Sequence, residues 1–235
     1  MQKITLIVLI TISYLMASCQ PSQEEWYTPE PYSLTDTTCF SNEVSKAAHH
    51  AQYQTTLNTV YDGSYVNIGY PGGDPGYQQG VCTDVVIRAL RFIDIDLQEL
   101  IHQDMKKAHK IYNTVYRTKK LDNNIDHRRT QNIQTYLTRQ LAKIPVPEVY
   151  NYRPGDIVFW DIAAGHTGIV SNIRSEDHGG FLVIHNIGSG PVIEDLLYDF
   201  PADDVYRIDN ETAKKMKNNC TFRYDQSKDF KRNVQ

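Results

Sequence analysis

A thiol at the head of a helix, followed by two imidazoles on strand-like segments, is the first chemistry this sequence offers. Cys82 stands in Gly80-Val81-Cys82-Thr83-Asp84, directly before the apolar-periodic run Val85-Val86-Ile87-Arg88-Ala89-Leu90. His166 lies in Gly165-His166-Thr167-Gly168-Ile169-Val170, and His185 in Val183-Ile184-His185-Asn186. A helix start lowers a thiol's pKa, because its unpaired N–H groups and its dipole favour the thiolate. One strand can then carry the imidazole that moves the proton, and the next the group that orients it. His185 is read as that third group, with the side-chain carbonyl of Asn186 as its rival. The chemistry is acyl transfer to sulfur. Cys82 attacks an amide or ester carbonyl, His166 protonates the leaving group, and water activated by His166 releases the acyl-enzyme, with no cofactor required. The Cys82 backbone N–H suits the oxyanion, and Tyr70 is read as a second donor or a substrate wall, with Gln78 and Gln79 as alternatives. Against this stand an inert buried cysteine and a zinc site. The zinc reading lacks close-spaced ligand pairs, so no metal is assigned.

The elements that must hold these groups follow from periodicity. Ser41 to Val60 reads as a helix, with Ser41 as N-cap and Val44, Ala47, Ala48 and Ala51 on one apolar face, which leaves His49 and His50 on an exposed one. Tyr61 to Gly80 is a Gly/Tyr-rich loop, read as substrate-facing. The helix after Cys82 runs to about Phe92. A second spans Leu97 to about Tyr112, and a third Thr130 to Lys143, closed by Pro145-Val146-Pro147. Beyond Pro154-Gly155 the period becomes strand-like, at Asp156–Asp161, His166–Asn172, Phe181–Asn186 and Pro191–Asp195, with a last strand at Tyr206–Ile208. Helices first and an antiparallel sheet afterwards define an α+β layer fold. Asn124-Ile125-Asp126-His127-Arg128-Arg129 is a second chemical candidate, either an anion grip in which Asp126, Arg128 and Arg129 hold substrate or a solvated charged turn. His102, His109 and His178 show no partner pattern.

The ends bound where this chemistry takes place. One cation and an apolar stretch from Ile4 to Met16 are too short to span a membrane and read as a signal for export. The step Met16-Ala17-Ser18-Cys19 resembles a bacterial lipobox, which implies lipidation at Cys19 after cleavage, and Gln20 beside it resembles the pattern sent to an outer membrane. Residues 20–40 are a polar, Pro-containing tether, 41–220 the folded domain and 221–235 a tail. A net charge of −4, with both signs mixed and no basic block, argues against a nucleic-acid partner. Cys39 and Cys220 lie near the two ends of the domain, as a disulfide or as two free thiols. Oligomeric state is not legible.

Three blocks resemble a known family. Tyr70-Pro71-Gly72-Gly73 with Cys82 at a helix start, Pro154-Gly155-Asp156-Ile157-Val158-Phe159-Trp160 followed by Gly165-His166-Thr167-Gly168, and Ile184-His185 resemble the blocks of NlpC-type cell-wall peptidases in the papain-like clan. The Tyr-Pro-Gly-Gly-Asp loop, the Gly-Val-Cys-Thr-Asp-Val-Val-Ile-Arg-Ala helix, Asn-Ile-Asp-His-Arg-Arg and His-Asn-Ile-Gly are similar to one bacterial branch, domain of unknown function 1287, over most of residues 45 to 208. The resemblance implies a papain-like fold, catalysis by Cys82, His166 and His185, and an envelope substrate such as peptidoglycan stem peptides. NlpC-type enzymes usually carry Asp before the cysteine, to hold a free substrate amine, and here Val81 stands there. The alternatives are a thiol acyltransferase or esterase on the same scaffold, and a non-catalytic binding lipoprotein.

Overall fold

The run Ile157-Val158-Phe159-Trp160 is apolar at every position because both of its faces are covered. The computed structural model describes residues 43–116, 120–140, 142–162 and 164–225, and these four residues form β4. Ile157 and Phe159 join a core shared with the helices. Val158 and Trp160 join a second core with Tyr152, Val170, Val183, Leu197, Ala202 and Val205. Side chains alternate along a strand, so a sheet packed on both sides has no position left for a polar face.

Five further strands flank β4 among the described residues: β3 (Lys143–Ile144), β5 (His166–Arg174), β6 (Phe181–His185), β7 (Val192–Glu194) and β8 (Asp204–Tyr206). They pair antiparallel throughout, in the order β3-β8-β4-β5-β6-β7. A separate two-residue parallel pair joins β1 (Val60–Tyr61) to β2 (Gln79–Gly80). The helices α1 (Glu43–Gln54), α2 (Cys82–Phe92), α3 (Leu97–Tyr116), α4 (Thr130–Arg139) and α5 (Asn210–Asn218) all contribute to the first core. The layer arrangement is therefore α+β, with helices on one face of an antiparallel sheet.

Tertiary contacts shift several boundaries from their periodic expectation. α1 stops at Gln54, where the Thr55 and Thr56 hydroxyls bond back to the Gln52 and Tyr53 carbonyls and turn the chain toward β1. α3 continues to Tyr116 past a kink at Ala108 (φ −128, ψ 31). α4 ends at Arg139, and Lys143–Ile144 pairs with β8 instead of extending the helix. α5 escapes the periodic reading because it buries only Ala213 and Met216, although Asp209 caps it by accepting the Thr212 N–H at 2.7 Å.

His49 and His50 are buried, which corrects the exposed placement. The His50 ring stacks on Phe92 at 4.9 Å and meets the edge of Tyr224 at 5.9 Å, so the chain's C-terminal segment covers this side of α1. Thr221 and Phe222 donate their N–H groups to the Glu99 carboxylate and Tyr224 donates to Asp94, which fixes that segment under the α2–α3 junction. Cys220 is a buried free thiol. Cys39, Cys19, the Ser41 cap, the signal and the tether lie outside the described residues. No described helix is long and apolar enough to cross a membrane.

Candidate active site

Cys82 is the first residue of α2, and the helix starts there for a local reason. The Asp84 carboxylate reaches back to accept the Val81 N–H at 2.7 Å, so an acidic side chain in the first turn satisfies a donor the helix cannot. Backbone N–H groups of Thr167, Thr83 and Cys82 itself point at the sulfur. The thiol is nonetheless pushed above its ordinary range. Burial is the main cause, the three N–H groups pull the other way, and the Asp84 carboxylate adds to the rise. This corrects the expectation of a lowered pKa: the helix start acts as expected, but desolvation outweighs it.

The sulfur borders an open cleft of ≈ 320 Å³ lined by Tyr61, Gly63, Val81, Thr83, Ile125, Arg128, Arg129, Thr130, Gln131, Ala164 and Gly165. Its far wall is tied together where the Thr130 hydroxyl and the Gln131 amide donate to the Ala164 carbonyl at 3.3 and 2.9 Å. Gly165 sits at φ +90, and a Cβ there would collide with the Thr130 hydroxyl, so only glycine fits this corner.

The two histidines meet each other. His166 Nε2 lies 3.0 Å from His185 Nδ1, and His185 Nε2 lies 2.8 Å from a Glu194 carboxylate oxygen. Strand register explains the contact: Trp160 pairs with His166, and Gly168 with His185, so both rings fall on the Trp160 face of the sheet. Burial and then His185 hold the His166 pKa down at about 4. α2 packs on the opposite, helix-bearing face, and the thiol reaches β5 at the Thr167 N–H, one residue beyond His166. Among the described residues no hydrogen bond joins the Cys82 sulfur to the His166 ring. Asn186 is occupied elsewhere, donating to the Gly80 carbonyl at 3.3 Å and accepting the Gly188 N–H.

The remaining sequence candidates divide. Arg128 and Arg129 line the cleft, but the Arg128 fork is bound bidentately to Asp84 at 2.9 and 2.8 Å, with both side chains buried. This segment is thus neither a solvated turn nor a grip with both fork nitrogens open to substrate. The Asp126 carboxylate is buried and accepts the Asp122 N–H at 2.6 Å, away from the cleft lining. Tyr70 packs edge-on against His102 at 5.1 Å and does not line the cleft, nor do Gln78 and Gln79. The middle of the Gly/Tyr loop is fastened down, where Asp74 holds Arg88 at 2.8 Å, Gly72 donates to Asp96 and Gly73 donates to Gln98, while Tyr61 and Gly63 at its start line the cleft. His178 does have partners, Asp195 at 2.9 Å and a stacked Tyr198 ring.

Sequence reasoning had Tyr61 only as the start of a substrate-facing loop, without singling it out, and missed Glu194 behind His185. Strand alternation alone could have marked Glu194, since Val192 and Glu194 share a face and Val192 pairs with His185. Among the described residues no group of three or more His, Cys, Asp or Glu side chains is placed to hold a metal ion.

Other chains resemble this one in sequence. The family described as domain of unknown function DUF1287 matches residues 48–208, a span that contains Cys82, Arg128, His166, His185 and Glu194. The chain belongs to that family. The uncharacterized protein YijF of Escherichia coli (strain K12) is 43% identical over 163 residues, which cover 68% of this chain and 79% of the relative. No solved structure matches the chain.

Proposed function

We propose that this DUF1287 protein is a cysteine hydrolase, an amidase or peptidase of the papain-like, NlpC-type kind. It would be exported, lipid-anchored at Cys19, and directed at envelope material, with peptidoglycan stem peptides as the first substrate class. The observation that supports this reading is the sulfur's position. It sits at a helix N-terminus beside an open cleft, touched by the N–H of the residue that follows a histidine already engaged with a second histidine.

With thiol and imidazole both neutral at rest, the route is general-base catalysis, not a preformed ion pair. His166 must turn from the end of β5 toward the sulfur and take its proton as the carbonyl carbon is attacked. The N–H groups at the α2 start stabilise the oxyanion, and the imidazolium passes its proton to the departing amine. Water then hydrolyses the thioester and the thiol is restored. Val81 offers no carboxylate to a substrate amine, and the nearby Asp84 is committed to Arg128, so a free N-terminal amine is not a requirement of this site.

The test is mass spectrometry of peptidoglycan fragments incubated with residues 41–235, beside Cys82→Ala. New fragments absent from the control would establish a wall hydrolase and name the bond, whereas unchanged samples would remove peptidoglycan as substrate. One observation favours a second reading, a binding lipoprotein. The thiol is buried, raised in pKa and not bonded to the imidazole. Alkylation separates the two. A catalytic Cys82 labels at neutral pH well ahead of Cys220, whose thiol burial pushes up to about 11, and an inert one labels equally slowly. An acyltransferase would show labelling without hydrolysis.

A further inference from the structure

We infer that Glu194 is a positioning residue that sets the tautomers of both buried histidines and so leaves His166 Nδ1 free to accept a proton. The inference rests on the hydrolase reading only in giving that nitrogen a catalytic use. The tautomer itself follows from hydrogen-bond bookkeeping.

A carboxylate can only accept, so the 2.8 Å contact requires His185 to donate from Nε2. A neutral imidazole with its proton on Nε2 has a lone pair on Nδ1. The 3.0 Å contact to His166 then requires His166 to donate from Nε2, which leaves Nδ1 of His166 unprotonated. One acceptor at the end of the chain thereby orders two rings. The opposite assignment fails at the carboxylate, because a His185 protonated on Nδ1 would turn a lone pair toward Glu194. A doubly protonated His185 would instead donate to His166 Nε2 and place the His166 proton on Nδ1, so the relay describes the neutral pair. The His185 side chain is 3% exposed and that of Glu194 49% exposed, so the ordering group sits at the surface and the ordered one inside. Glu194 is not among the residues that line the cleft, and its hydrogen bond runs to His185, through which it acts.

The experiment is ¹⁵N NMR of the histidine rings in the folded domain, in a Cys82→Ala background that keeps His166 neutral. With Glu194 in place, Nε2 of both rings should show pyrrole-type shifts and Nδ1 pyridine-type shifts. Glu194→Gln retains an acceptor oxygen and should preserve this pattern. Glu194→Lys supplies only donors and should reverse it in both rings. An unchanged spectrum in Glu194→Lys, or a proton on His166 Nδ1 with Glu194 present, would overturn the inference. Turnover reads the other question, with Cys82 restored. Glu194→Lys should lower kcat on the order of 100-fold or more with little change in KM, as a wrong imidazole tautomer does in hydrolases, and Glu194→Gln should lose much less. The expected tautomers in a protein with no turnover at all would sink the hydrolase reading and leave the relay intact.

Discussion

Lowering the pH should unfold this protein through its interior histidines before its carboxylates titrate. His50 is fully enclosed, and burial, helped by Arg88 and His49, lowers its pKa from 6.5 to about 3. His127 is held well below 6.5 by burial, then by Arg91 and Arg128. His50 is neutral in the folded state at pH 5, His127 is shifted the same way, and both are largely protonated in the unfolded chain. The unfolded state therefore binds more protons, and stability rises with pH across this window. The contribution is fully present above 6.5 and is lost as pH falls toward the folded pKa values. Between pH 7.5 and 5.0 His50 forfeits about 2 kcal/mol, a sizeable part of a typical domain's 5 to 15 kcal/mol, and His127 adds to the loss in the same direction. His166 acts in the same direction, while Asp126, raised by burial, opposes it. Urea unfolding at the two pH values measures the loss. His50→Phe keeps the stack on Phe92, removes one titrating ring, and should shrink the difference by about 2 kcal/mol. A wild-type difference below about 1 kcal/mol would show that these rings are not held neutral, and the reasoning would fail.

Two further outcomes are expected. Arg128→Met leaves the Asp84 charge buried without its partner and should cost about 3 to 5 kcal/mol, while adding Asp84→Asn should recover part of that loss, as read by a double-mutant cycle in urea. His166→Ala should slow iodoacetamide labelling of Cys82 at neutral pH if the ring reaches the sulfur in solution, and an unchanged rate would confine the imidazole to its place beside His185.

The start and end of α2 were legible to the residue because local chemistry set them: an acidic first turn, an apolar run, and a break at Ile93-Asp94. β4 to β6 were legible because Pro154-Gly155 and the switch to period two are local signals as well. Contacts that cross the chain were not. Asp84 meets Arg128 44 positions away, and His50 is closed over by Tyr224 174 positions away, so a helix face that looked solvated became an interior one. The cleft shows the same limit. The sequence marked Cys82, Arg128 and Arg129, whereas Tyr61 and Gln131 join them only through folding. Strand parity also decided which side of the sheet the imidazoles occupy, and two-block spacing carries no information about that.

The packing of Gly155 against Val44 has a practical reading. A Cβ on Gly155 would strike the Val44 backbone, so the beginning of α1 is pressed against the entry to β4. Gln54, at the far end of α1, donates to the Val85 carbonyl at 3.0 Å, in the first turn of the helix that Cys82 opens at the cleft. A helix of twelve residues spans about 18 Å. A load fixed to the chain just ahead of Glu43, whether bead, surface or acyl group, is thus fastened a full helix length from the mouth. The domain can be hung by that end with its opening left clear for something large.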